Sequence, residues 1–334
     1  MVIGVPRELK DGETRVGLTP SLVAGCVRKG ADVLVEHGAG LRAGFTDEEF
    51  SRAGARLASS GQAVWAEADL VVKVKEPQPA ELALMREGQG LFTFLHLAAN
   101  AELAAALRAR RMRAVAYENV TGEGGGFPLL RPMSLIAGRL STQIGAHFLE
   151  SAQGGSGVLL GGAPGVEPGL VTVLGAGNAG TEACRLAVGL GARVTALDLD
   201  AGRLRALEAT FSGTVRGVIS TPDAVTEAVA AADLVIGAVL VPGARAPVVA
   251  HADAVRRMRA GSVIVDIAID QGGCVETVAP TSHHDPVRKV HGVLHYAVPN
   301  MPALVGRTAT LALTRATELF VLAMAEHGLD GALA

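Results

Sequence analysis

The chain has 334 residues, with 30 Lys and Arg against 33 Asp and Glu, so the net charge is −3 and there is no basic excess of the kind nucleic-acid binders carry. Hydrophobic residues make up 49% and aromatic residues 3%, which excludes a disordered chain and leaves little to stack bases. No uncharged run reaches the ~20 apolar residues of a bilayer span, MVIGVPRELK lacks a signal-peptide pattern, and Cys26, Cys184 and Cys274, with no CxxC, read as free thiols of a reducing cytoplasm.

At ~150 residues per domain the length predicts two domains. Short apolar runs at residues 2–5, 33–35, 70–74, 91–95 and 113–117 alternate with turns and helical patterns such as 101–111. That alternation predicts a parallel sheet covered by helices. The tract TGEGGGF, residues 121–127, followed by Pro128 and Pro132, marks an expected domain boundary. Residues 133–153 then read as one long helix whose apolar stripe is Ile136, Leu140, Ile144 and Phe148. After a loop at 154–169, a second series of strands is expected at 170–174, 193–197, 215–219, 234–240, 262–267 and 293–298, with helices such as 179–190 and 222–232 between them. The last pattern, 308–327, is helical and has no strand beside it, so it is expected to return to the first domain.

The strongest motif is LVTVLGAGNAG. Gly175, Gly177 and Gly180 form G-x-G-x-x-G between an apolar strand and a helix: the first glycine permits a tight turn, the second lets a pyrophosphate approach the backbone, and the third lets strand and helix pack closely. The helix N-terminus adds unpaired N–H groups for phosphate. The next strand, RVTAL, ends in Asp198, the acidic residue that binds adenosine ribose hydroxyls and repels a 2′-phosphate, so NAD is favoured over NADP; Arg203 and Arg205 nearby soften that preference. The expected fold is α/β, two Rossmann-like doubly wound parallel-sheet domains flanking a cleft. Residues 1–128 with 306–334 form a discontinuous substrate domain and 129–305 the NAD-binding domain.

Ligands of open parallel sheets bind beyond the carboxyl ends of the strands. Arg15, Lys75 and His96 sit there in the first domain, and Asp270, Asn300 and Met301 in the second. A guanidinium suits a carboxylate, an ammonium can polarise a carbonyl, an imidazole moves a proton near neutral pH and a carboxylate orients water. Such a set beside a nicotinamide suits hydride transfer on a small oxo or amino acid. Each residue also fits a plainer reading by position alone: Arg15 as a solvated charge, Lys75 as an outward residue of an edge strand, His96 as a core histidine, and Asp270 as a cap for the turn at Gly272 and Gly273. The histidines at 283, 284, 291 and 295 include no i,i+4 pair on an expected helix and no Cys partner, so no metal site is predicted.

GVPREL, ETRVGLTP, VKVKEP, FLHLA, GGAPGVEPG, VLGAGNAG, DIAIDQGGCVET, HYAVPNMP and RTATLALT follow one another from residue 3 to about 327. Together they resemble the alanine dehydrogenases, a family related to the NAD-binding subunit of proton-pumping nicotinamide nucleotide transhydrogenase. The resemblance implies reversible deamination of L-alanine to pyruvate and ammonium with NAD, His96 and Asp270 as the catalytic pair, and Arg15 and Lys75 as substrate contacts. It implies nucleotide contacts at Ser134, Asn178, Ala179, Asp198, Arg203, Ser220, Val239, Leu240, Ile267, Asp270, Val298, Asn300 and Met301, alongside the three glycines. It further implies a homo-oligomer, a hexamer in most members, while the cysteines, charge and hydropathy above point to a cytoplasmic chain without nucleic-acid or membrane partners. The chain departs from the family at three places. The glycine loop reads GAGNAG where many members have GGGxxG, Ala279 stands where many have an arginine, and typical members continue a few dozen residues past Ala334. His327 matches a metal position of some members, but Ala323 cannot be a ligand, so no metal is carried over. A transhydrogenase-like or non-catalytic NAD-binding module, and a dehydrogenase of another small amino or imino acid, stay open at this point.

Overall fold

The computed structural model describes residues 1–97, 100–122, 125–241 and 245–333. Residues 123–124 of the expected break thus lie outside the described residues. The chain divides into two compact units, Met1–Met133 with Pro302–Ala334, and Ser134–Met301.

In unit 1, strands β1 (Val2–Val5), β2 (Asp32–Glu36), β3 (Arg56–Ala58), β4 (Leu70–Val72), β5 (Gly90–Thr93) and β6 (Arg113–Ala116) are all parallel and lie in the order β3-β2-β1-β4-β5-β6. Ile3, Val5 and Leu70–Val72 are fully buried, as expected of parallel strands covered on both faces. Strand order reverses between β1 and β4, the place where loops diverge and leave a crevice. The sequence gives no sign of β3, because two of its three residues are exposed and no apolar run marks it. β4 and β5 also stop two residues earlier than expected. Lys73–Lys75 and Phe94–His96 therefore lie in the segments that run on beyond the sheet.

The final helical segment, Gly306–Leu333, kinked at Gly328, belongs to unit 1 and packs on helix Pro20–Arg28. By length and composition alone it could cross a membrane. Its Ala309, Leu313, Thr317, Val321 and Met324 are instead buried in this unit. Thr14 Oγ1 donates to the Ala303 carbonyl, Val16 N–H to Thr310 Oγ1 at 3.2 Å, and Arg307 to the Gly44 carbonyl at 2.7 Å, which fixes the register of the returning segment.

In unit 2, β7 (Leu170–Leu174), β8 (Arg193–Asp198), β9 (Val215–Ile219), β10 (Leu234–Gly237), β11 (Val263–Asp266), β12 (Val287–Val290) and β13 (Val293–Tyr296) lie in the order β12-β13-β11-β10-β7-β8-β9. Strand order reverses between β7 and β10. This sheet is not wholly parallel, as the sequence reading expected: β12 runs antiparallel to β13, with Val290 paired to Val293. His291 and Gly292, at φ 52 and 82, make the two-residue turn with both φ positive that joins tight hairpins. Arg288 and Lys289 are exposed on this edge, where charges discourage further strand pairing.

The expected helix at 133–153 is Arg131–Phe148, followed by a 3-10 turn at Ser151–Gln153. Its buried face is made of small residues, Ala137, Gly138, Ser141, Thr142 and Gly145, with Leu140, while Ile136, Ile144 and Phe148 are only half-buried. The reason is close approach to helix Asn178–Gly189. A methyl on Gly138 would overlap the Ala179 carbonyl, and Thr142 Oγ1 donates to the Ala183 carbonyl at 3.0 Å. An apolar stripe read at four-residue spacing cannot show that a neighbouring backbone selects the smaller side chains.

Candidate active site

Three cationic or imidazole side chains gather at the carboxyl end of the unit 1 sheet. Arg15, in the segment after β1, is 3% exposed, so the solvated reading fails. Its Nε and Nη2 donate to the two Glu13 carboxylate oxygens at 2.7 and 2.6 Å, a bidentate fork that fixes the guanidinium plane, and Nη1 lies 2.9 Å from Met133 Sδ. Lys75 lies beyond interior strand β4 and is 7% exposed, so it is not an outward edge residue. Its Nζ is 3.2 Å from His96 Nε2 and 3.5 Å from Glu76. Burial pushes the Glu76 carboxyl up, but Lys75 and the bond from Lys10 outweigh it and hold the group below its usual range. His96 is exposed rather than a core residue, and its ring stacks on Phe94 with centroids 5.8 Å apart and planes 5° apart.

Beneath them lies a fully buried ion cluster. Lys73 Nζ is 2.9 Å from Glu81 and 3.3 Å from Glu8, with all three side chains at 3% exposure or less. Burial works against the Lys73 ammonium, yet Glu8 and Glu81 together keep its pKa above the usual value. Burial pushes Glu8 above the carboxylate range against the pull of Lys73. Glu8 also accepts the Val74 N–H at 2.7 Å and so holds the segment that carries Lys75. These acids escape a motif search, because their partners are backbone amides and a lysine far away in sequence. The ETR spacing of Glu13 and Arg15 is the one local signal.

In unit 2 the glycine loop leaves β7 at the carboxyl end. Gly175 has φ 101, and Gly180 sits where a methyl would overlap the Gly175 carbonyl; a Cβ on Gly177 would meet open space. The loop thus offers a bare backbone and the start of helix Asn178–Gly189, a set that fits a dinucleotide pyrophosphate. Asp198, at the end of β8, accepts the Ala176 N–H at 2.7 Å and the Asp200 N–H at 2.9 Å, tying the end of this strand to the glycine loop. Arg203, in the helix capped by Asp200, lies 3.9 Å from Asp198. Ser220 follows β9 and donates its N–H to the Asp198 carbonyl at 3.0 Å. Val239 and Leu240 follow β10, Ile267 follows β11, and Val298, Asn300 and Met301 follow β13. Ser134, by contrast, stands in the first helix of the unit. Asp270 is not at the end of a strand: β11 stops at Asp266, and Asp270 is exposed in the 3-10 turn Ile267–Gln271. It does not cap the glycines after it, whose N–H groups go to the Ile269 and Ala268 carbonyls. Its carboxylate accepts the Asn300 N–H at 3.2 Å. The turn itself is held by buried Asp266, which accepts the N–H groups of Ala268, Cys274 and Val275 at 2.9, 2.8 and 3.1 Å.

Comparison with known proteins accounts for both units. Residues 4–137 match the alanine dehydrogenase/PNT N-terminal domain and residues 141–334 its C-terminal domain. The alanine dehydrogenases of Halomonas elongata and Bacillus subtilis are each 52% identical over all of this chain, which covers 90% and 88% of their lengths. A solved L-alanine dehydrogenase superposes with a TM-score of 0.96 at 53% identity, over 99% of this chain and 91% of that one. A transhydrogenase from Sinorhizobium meliloti superposes at 0.85 with 27% identity, over 98% and 95%. With family models matching both units and half the residues shared with curated members along the whole length, the chain belongs to the alanine dehydrogenase/PNT family.

Proposed function

We propose that this chain catalyses the reversible oxidative deamination of L-alanine to pyruvate and ammonium with NAD. The observation that carries the reading is the Lys75–His96 contact of 3.2 Å, in a unit that also holds a buried arginine whose plane is fixed by Glu13. Membership of the family supports it. Asp198 favours NAD over NADP, since a second negative charge would meet its carboxylate.

When bound, the nicotinamide supplies the hydride acceptor. Arg15 holds the substrate carboxylate. Lys75 stabilises negative charge on the oxygen of the oxo acid, and its contact with His96 Nε2 at 3.2 Å orients the imidazole for proton transfer. Loss of hydride from Cα of the unprotonated amine would leave an iminium. His96 would remove a proton from the attacking water, which gives a neutral carbinolamine, and return it to the nitrogen; the hydroxyl proton then passes to His96 as ammonia leaves and the carbonyl forms. Asp270 orients the water. The buried thiols Cys26, Cys184 and Cys274, which form no disulfide, fit a reducing cytoplasm, and the chain is read, by its family, as a homo-oligomer.

The test is NADH formation across the small L-amino acids, with NADPH formation as the cofactor control. L-Alanine is expected to be preferred, and H96A to lose ~10²–10⁴-fold in kcat. Nucleotide binding without turnover of any amino acid would favour a transhydrogenase-like module instead, and wild-type kcat in H96A would reject the role of the imidazole.

A further inference from the structure

His96 sits on an unusual piece of backbone. β5 and β6 stay in register only to Thr93 and Ala116. His96 lies three residues farther on, at φ 49, in the left-handed region that is uncommon for residues other than glycine, although histidine enters it more readily than most. A conformation of this kind persists only where its surroundings impose it.

Here the restraint comes from the neighbouring strand. After β6 the chain enters a 3-10 turn, Tyr117–Asn119, which directs the Glu118 side chain across the gap where the ladder has ended. One carboxylate oxygen, Oε1, accepts the His96 N–H at 2.6 Å and the Leu95 N–H at 3.2 Å, and Oε2 also accepts the Leu95 N–H at 3.2 Å. The carboxylate thus stands in for the next rung of the sheet. A backbone carbonyl of the neighbouring strand would accept a single N–H across the ladder and keep the segment extended. A carboxylate gathers two successive N–H groups onto one point, which bends the chain at His96. The bend delivers the imidazole onto Phe94 and Nε2 to Lys75.

We infer that Glu118 is the positioning residue for His96: its carboxylate sets the backbone conformation from which the imidazole reaches Lys75, and with it the rate of the proton transfers. The inference rests on the proposed deamination for its kinetic consequence and on geometry alone for its structural one.

E118Q keeps the shape, removes the charge and replaces one accepting oxygen with an amide that cannot accept. The expected result is a fall in kcat for alanine oxidation of about tenfold or more, with NADH affinity unchanged. In the H96A background E118Q is expected to change kcat less than about twofold, because residues acting as one unit are non-additive. A purely structural role would lower both backgrounds by the same factor, and that result, or wild-type kcat in E118Q, overturns the inference. A second readout does not depend on alanine. The His96 imidazole resonances, assigned by their loss in H96A, should move in E118Q, and unmoved resonances also overturn it. If the wild type forms no NADH from alanine while those resonances move, the proposed reaction fails and the role of Glu118 stands. E118D, which withdraws the oxygens by one methylene, is read in the same way where E118Q does not fold.

Discussion

Replacing Lys73 with methionine removes the one positive charge between Glu8 and Glu81 while keeping most of the volume. In the native chain its Nζ sits 2.9 and 3.3 Å from the two carboxylates, and none of the three side chains exceeds 3% exposure. Deleting one partner of a buried ion cluster typically costs about 3–5 kcal/mol, since it strands charge in a medium that cannot solvate it. For a unit of this size that corresponds to a fall in Tm of roughly 6–20 °C. Trp65 is the only tryptophan, is fully buried in unit 1, and donates from Nε1 to Glu81 at 3.4 Å, so its fluorescence reports this unit against the rest of the chain. The pH dependence separates charge from packing. The Glu8 pKa is already raised by burial, and losing Lys73 raises it further. A carboxyl whose folded value exceeds its unfolded one supports stability at low pH and loses that support as pH rises through the folded value. The deficit of K73M should therefore be larger at high pH, where Glu8 is ionised, and shrink as pH falls. A deficit under about 1 kcal/mol, or one that does not change with pH, would refute the charge argument and leave only a packing defect.

Asp266 gives a second pH test. Burial pushes its pKa from 3.8 up to about 6, against the amide bonds from Cys274, Val275 and Ala268. Its folded value again exceeds the unfolded one, so up to roughly 3 kcal/mol present below pH 3.8 is lost as pH rises through 6. The stability difference between wild type and D266N, followed by urea denaturation, should change across that window; a constant difference contradicts the assignment. G180A places a methyl on the Gly175 carbonyl and must push β7 and its helix apart. We expect NADH affinity, read by fluorescence titration, to fall at least about tenfold, equivalent to 1.4 kcal/mol; unchanged affinity would show that the loop gives way without consequence for nucleotide binding.

The parts of the fold legible in the sequence are those where one residue type answers a local need. Strands such as Leu170–Leu174 are apolar because both faces of a parallel sheet are covered. The glycine loop stands out because Gly175 needs a positive φ and Gly180 a bare Cα. β3 and β12 were illegible because exposed edge strands need no apolar alternation, and the small face of Arg131–Phe148 was illegible because a tertiary neighbour demanded it. At the candidate site, spacing drew attention to Arg15, Lys75, His96 and Asp270, the groups with obvious chemistry. It drew none to Glu8, Glu13, Glu118 or Asp266, the acids that hold backbone and guanidinium in place. Acceptors of main-chain N–H groups leave no motif, since which amide lies opposite is decided only when strands pair.

The split build of unit 1 bears on how a newborn chain matures. Unit 2 is one unbroken stretch, Ser134–Met301, and possesses every strand of its sheet once Met301 has cleared the ribosome. Unit 1 is made first yet finished last: Thr14, Val16 and Gly25 meet their partners Ala303, Thr310 and Leu322 only when the closing segment emerges. At ~5–20 residues per second of synthesis, six strands wait on the order of ten seconds or more with one flank bare. Aggregation and chaperone dependence should therefore concentrate in the amino-terminal third during translation, and supplying residues 302–334 as a separate peptide should relieve them.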